Sequence, residues 1–177
     1  FFRGCNMSYY IRKVDSQYWE DELPQDNYLN MAVDGVTNCC RTSSNALSIW
    51  KTESNNPYDD YNKKLLTAIA LGRDGPAPIT FIFLSDDDLS SLELALKQTP
   101  GNTSYVEFID NHRDIINLTL DKIGRLAWVI HEKVNNDNEY NIISCEEITD
   151  FTKGIFQEVS SLPEKNQGDR KWKRIYL

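Results

Sequence analysis

Three adjacent aspartates, Asp86, Asp87 and Asp88, follow Ser85 at the close of the most apolar run in the chain, and they carry its clearest chemical pattern. A carboxylate cluster where a strand hands over to a helix occupies the position at which open sheets bind ligands. Hard oxygen donors of this kind suit Mg²⁺, and a bound Mg²⁺ beside a general base would make a metal-assisted hydrolase or phosphoryl-transfer centre. The base would come from the segment Asp110-Asn111-His112-Arg113-Asp114, in which Asp110 and His112 are the catalytic candidates. Helix chemistry offers a simpler account of both segments. Acidic residues in a first turn complement the helix dipole by ~0.3–1 kcal/mol each, with Ser85 as the cap. Successive side chains in one helical turn also diverge, so three neighbouring aspartates seldom face one ion. His131, near the end of a helical pattern, reads in the same structural way.

Other catalytic signatures are missing. His112-Arg113-Asp114 matches a kinase catalytic loop in three letters only, with no Gly-rich phosphate loop and no Asp-Phe-Gly to accompany it. Neither G-x-G-x-x-G, nor G-x4-G-K-[ST], nor G-x-S-x-G occurs. Cys39 and Cys40 close a helical pattern, where a thiol pKa is raised rather than lowered, and no C-x2-C pair offers zinc ligands. With Cys5 and Cys145 they read as reduced thiols of a cytoplasmic protein.

Binding explains more of the sequence than catalysis does. With 19 Lys plus Arg against 27 Asp plus Glu, the net charge is -8, which disfavours non-specific attachment to nucleic acid or to an anionic membrane. The charge is uneven: residues 164–177 hold five basic and two acidic side chains and carry +3, leaving -11 on the other 163 residues. Acidic clusters stand at Glu20-Asp21-Glu22, Asp59-Asp60 and Asp86-Asp87-Asp88, and the aromatic residues Tyr18, Trp19, Tyr58 and Tyr61 adjoin the first two. Aromatic anchors within a polar rim characterise protein interfaces, and complementary charge speeds association. Trp172 and Arg174 are the corresponding candidates in the basic end. These observations predict a protein-protein interaction module of the immunity or antitoxin kind, which neutralises a basic partner and needs no cofactor. The alternative is the Mg²⁺-dependent enzyme. A third reading is a homodimer built by edge pairing through the basic C-terminal segment.

The elements that must position these residues follow from composition and periodicity. The 177 residues are 40% hydrophobic and 26% charged, the profile of one folded domain. No run approaches the ~18 apolar residues of a membrane-spanning helix. Residues 1–6 precede Met7 and read as a cloning remnant or upstream sequence, as in a gene from a mobile cassette. Residues 7–163 read as the globular domain and 164–177 as an edge strand or tail. Pattern and turn residues predict strands at 8–14, 46–51, 79–84, 105–109 and 140–144, and helices at 26–40, 59–71, 85–98, 111–134 and 146–161. The continuous apolar run 79–84 fits a central strand covered on both faces. The stripe Ile116, Leu120, Ile123, Ala127, Ile130 and Val134 predicts the longest helix, near 111–134. Together these elements give an α+β fold, or an irregular α/β one: a mixed sheet of four to five strands with helices packed on it.

Overall fold

The computed structural model describes residues 7–19, 27–31, 33–135 and 139–177. Its strands are β1 (Tyr9–Lys13), β2 (Leu47–Thr52), β3 (Ile79–Ser85), β4 (Ala95–Gln98), β5 (His112–Ile116) and β6 (Tyr140–Ile143). They form one sheet in the order β4-β5-β2-β1-β3-β6. The helices are α1 (Val33–Cys39), α2 (Asp60–Leu71), α3 (Asp86–Ser91), α4 (Leu120–Asn135), α5 (Cys145–Ile155), α6 (Glu164–Gln167) and α7 (Arg170–Lys173). The fold is α+β, as the composition and element order predict. The sheet differs from expectation in having six strands and in being antiparallel at every ladder. Among the described residues no helix is long and apolar enough to cross a membrane.

Alternation along the interior strands builds two cores, one on each face of the sheet. Ile79, Phe81 and Phe83 of β3 join Ile11, Trp50, Leu65, Leu66 and Trp172 on one side. Ile82 and Leu84 join Tyr10, Ile49, Ile115, Leu126 and Ile130 on the other. Five of the six residues in 79–84 are apolar, Thr80 being the exception, because helices cover the strand from both sides. β3 is an interior strand, between β1 and β6, and not the middle of the sheet.

The structure departs from the sequence reading at four places. Residues 112–116 are strand and not the start of the longest helix. The adjacent β-branched residues Ile115 and Ile116 favour an extended chain, Asn117 turns through a left-handed conformation (φ 57°), and the Thr119 hydroxyl accepts from the Lys122 amide at 3.3 Å to open α4. The helix expected over 85–98 stops at Ser91, because Glu93 adopts φ 52°. Leu92, Leu94 and Leu96 all pack against one core, and β4 begins at Ala95. Residues 106–111 coil into a 3₁₀ helix where a strand was expected. In place of a helix over 26–40, residues 27–30 form a turn and α1 begins at Val33, while Asp26 lies outside the described residues.

The basic end is neither edge strand nor tail. Asp169 caps α7 by accepting from the Lys171 amide at 2.7 Å. Trp172, Ile175 and Tyr176 then point to one side with helical spacing and enter the core that holds Phe81 and Phe83. A homodimer paired through this segment is therefore ruled out as an edge-strand arrangement. The edges of the sheet are β4 and β6, four residues each, short enough to offer little template for another chain.

Candidate functional site

The three aspartates after β3 serve the fold separately. Asp86 accepts from the Ser8 amide at 2.8 Å and from the Tyr10 hydroxyl at 3.0 Å. Burial, followed by this bond, pushes the Tyr10 phenol up to about 12. Asp88 closes a capping box with Ser85, accepting from the Ser85 amide at 2.8 Å while its own amide donates to the Ser85 hydroxyl at 3.0 Å. It also pairs with Lys133 at 3.4 Å. Asp87 is exposed. Among the described residues no group of three or more His, Cys, Asp or Glu converges as a metal site would require.

His112 stands on a different strand from this turn. Two strands, β1 and β2, lie between β3 and β5, which at about 4.8 Å per strand separates them by roughly 14 Å. Asp86, Asp87 and Asp88 are thus not brought to Asp110 and His112. Asp110 is exposed, whereas His112 is buried with its ring edge-on to Trp50 at 5.1 Å. Its Nδ1 lies 2.8 Å from the Thr99 hydroxyl, which donates to Asp114 at 2.8 Å. A hydroxyl has one proton; having given it to Asp114, Thr99 must accept from His112, so Nδ1 carries the ring proton. The order Asp–Thr–His puts the hydroxyl in the middle. In a nucleophilic triad the imidazole stands there, so this order is not that of a triad, and its bonds hold the His112 ring in place. Sequence reading missed Thr99, which lies 13 residues from His112 along the chain and meets it only because β4 pairs with β5.

Both histidines are buried, and burial lowers the pKa of each. For His112, Asp114 and Thr99 oppose this and Arg113 adds to it. His131 touches Asn135 through Nδ1 at 2.8 Å, and Glu132 opposes the lowering there. The unfolded chain titrates near 6.5, so in the window below that value it binds protons that the folded chain refuses. Stability is expected to be full above about pH 7 and to fall as pH drops through 6.5 toward the lowered folded values. Urea unfolding at a series of pH values checks this. The variant His112→Gln/His131→Gln should have a shallower slope between pH 7 and 5.5, whatever its absolute stability; an unchanged slope would show that other groups set it.

Several partner candidates are internal. Trp19 is buried, donates from its indole nitrogen to Cys39 Sγ at 3.2 Å, and lies so close to α1 that a Cβ on Gly35 would stand 2.7 Å from its ring. Trp172 is fully buried and donates to the Arg73 carbonyl at 3.1 Å. Neither can anchor a partner, and both corrections have one cause: a large indole next to charges in sequence still gains most by entering the core. Tyr18 is half-buried against the α4 side and Arg174 is exposed. Glu20, Asp21 and Glu22 lie outside the described residues. Cys39 and Cys40 are buried free thiols, and burial pushes Cys40 up to about 12, which makes it unreactive.

The second acidic-aromatic cluster does reach the surface. Asp59 caps α2, accepting from the Asn62 amide at 2.6 Å, and this turn presents Tyr58 at 50% exposure, Tyr61 at 41% and the Asp60 side chain at 97%. Tyr58 donates to Glu147 at 3.1 Å, which raises its own pKa. Glu147 in turn caps the start of α5, and its bonds to Ser144 hold its carboxyl below the usual range. Tyr61 packs edge-on to Phe108 at 5.5 Å and its hydroxyl accepts from Asn111 at 2.5 Å. These contacts bring the 3₁₀ helix of residues 106–111 alongside, with Val106 exposed at 73% and Glu107 and Asp110 also exposed. Lys63 pairs with Asp60 at 3.7 Å, and Arg113 donates to the Asp110 carbonyl at 2.6 Å. Asp110, a catalytic candidate by sequence, thus belongs to this surface. Val106, Glu107 and Glu147 were missed, since each is ordinary in its local sequence and meets residues 58–61 only through the fold.

No family model, no curated protein and no solved structure matches the chain. The residues and their geometry therefore carry the functional argument alone.

Proposed function

We propose that the protein is a protein-protein interaction module that binds a basic partner at the surface around the start of α2. The observation that carries this reading is the exposure of Tyr58 and Tyr61 among the carboxylates of Asp60, Glu107 and Asp110, with Val106 as an exposed apolar neighbour. Tyrosines pinned by Glu147 and Asn111 lose little side-chain entropy on binding. Their faces accept cationic side chains, and the surrounding acids steer a positively charged surface toward them. In its finer form the partner is a basic effector whose activity is blocked while bound, as with immunity proteins and antitoxins. The free thiols Cys39, Cys40 and Cys145 support a reducing, cytoplasmic setting.

The test uses immobilised wild-type protein and the variant Tyr58→Ala/Asp60→Lys, whose exposed positions leave the Asp59 cap intact. Both are challenged with extract of the source cells at low salt. A basic polypeptide retained by the wild type, eluted by raised salt and bound at least tenfold more weakly by the variant is expected. Retention of no basic protein, or equal retention by both, would overturn the proposal.

A further inference from the structure

One recess of this acidic molecule is lined by cations. Where β1 ends, a cleft of about 530 Å³ is bordered by Arg12, Lys13, Asp15, Cys39, Thr80 and Arg73, which follows α2. Its three cations outnumber its single carboxylate, so the lining carries +2 in a chain whose net charge is -8. The ion pairs among the described residues involve Lys63, Arg125 and Lys133, and none includes Arg12, Lys13 or Arg73. Asp15 is exposed and accepts from the Gln17 side chain at 3.0 Å.

The guanidinium of Arg12 is the least compensated of these groups. It donates to the Ser48 carbonyl at 2.7 Å and to the Cys39 carbonyl, while its buried Nε meets no acceptor among the described residues. Two carbonyls orient the group without neutralising it, and among the described residues no carboxylate pairs with this half-buried cation, which is costly. Arg73 is oriented similarly, by a bond of 3.2 Å to the Pro78 carbonyl. The Lys13 ammonium makes no hydrogen bond among the described residues; desolvation, followed by repulsion from Arg73 and Arg12, lowers its pKa. Three positive groups held together against mutual repulsion form a site that an anion would complete.

We infer that this cleft binds a small phosphate monoester, with Arg12 fixed as its floor and Lys13 and Arg73 closing on the phosphate oxygens. A phosphate dianion matches the surplus of two positive charges in the lining. Fixed guanidinium donors match the geometry of its oxygens, and the ammonium adds a mobile point charge. The cleft volume leaves room for a small organic group beyond the phosphate. The site is separate from the acidic surface at the start of α2 and does not depend on that surface having a protein partner.

The experiment titrates the whole chain with inorganic phosphate, glycerol 2-phosphate and succinate. Ionic strength is held with chloride, and binding is read by calorimetry and by the thermal midpoint. Saturable binding of both phosphates is expected, with succinate at least tenfold weaker. Lys13→Gln and Arg73→Gln should each weaken phosphate binding at least tenfold, while Lys97→Gln, an equal charge loss on β4, should leave it unchanged. Because Lys13 is exposed, its variant keeps the test valid if the Arg73 variant folds poorly. No saturable binding, equal binding of succinate, or phosphate binding unaltered in the Lys13 variant would each overturn the assignment. Loss of phosphate binding would leave the proposed interaction surface untouched, so the two failures are distinguishable.

Discussion

Trp172→Ala is expected to lower the unfolding free energy by about 3–5 kcal/mol. The indole is fully buried among Leu65, Leu66, Phe81 and Ile148, so truncation removes its transfer energy and leaves a cavity lined by side chains that cannot all collapse inward. It also leaves the Arg73 carbonyl without its 3.1 Å donor. For a domain whose whole stability is typically 5–15 kcal/mol, the loss removes a large share of it, and at the low end of that range it would leave part of the population unfolded at 37 °C. Urea unfolding followed by tryptophan fluorescence and circular dichroism measures it. Trp172→Phe keeps most of the ring volume while removing the N–H, and a smaller loss of about 1–3 kcal/mol is expected. An alanine variant within 1 kcal/mol of wild type would show that the C-terminal turn is not part of the core.

Asn62→Leu is expected to cost about 3 kcal/mol or more although it preserves volume. Asn62 is fully buried in the first turn of α2. Its amide nitrogen donates to the carbonyls of Ser54 at 3.0 Å and Asn56 at 2.8 Å, and its oxygen accepts from the Thr52 hydroxyl at 2.6 Å. Leucine would strand all three groups with little water to replace it. These bonds also hold the loop that carries Tyr58, so the variant should lose protease resistance at residues 53–59 before it unfolds globally. Limited proteolysis with mass spectrometry reads this. A variant as stable as wild type, with the loop equally resistant, would remove Asn62 from its role as the tie between β2 and α2.

Local chemistry made some elements readable from sequence and hid others. The helix expected over 59–71 is observed at Asp60–Leu71, because cap, apolar stripe and the terminating Gly72 agree. The strand expected over 79–84 is observed at Ile79–Ser85 for the same reason: pattern and turn residues point one way. The errors arise where two patterns overlap. Ile116 and Leu120 are four residues apart and suggest one helix, yet Asn117 reverses the chain between them. Leu89, Leu92 and Leu96 share a helical period by coincidence, since Glu93 changes the backbone and Leu96 lies on the strand that begins at Ala95. The site was legible in part. Residues 58–61 announce exposure through a cap flanked by tyrosines, but Trp19 and Trp172 have equally charged neighbours and differ only in what tertiary packing does with them. The cleft at Arg12 left no trace in the sequence, because Arg73 reaches it from 61 positions along the chain.

β1 spans only five residues, yet it joins two electrically opposite places. Its first residue pairs with Thr52 and Ser85, beside the turns that hold Asp60 and Asp86–Asp88, and its last, Lys13, stands at the rim of the cation-lined cleft. At about 3.4 Å per residue the two lie some 14 Å apart. Opposite charges held about that far apart at the two ends of a hydrogen-bonded strand contribute an electric dipole fixed in the molecular frame. A charged body approaching from solution therefore exerts a torque as well as an attraction, and the protein arrives already turned to the face that the visitor's sign selects.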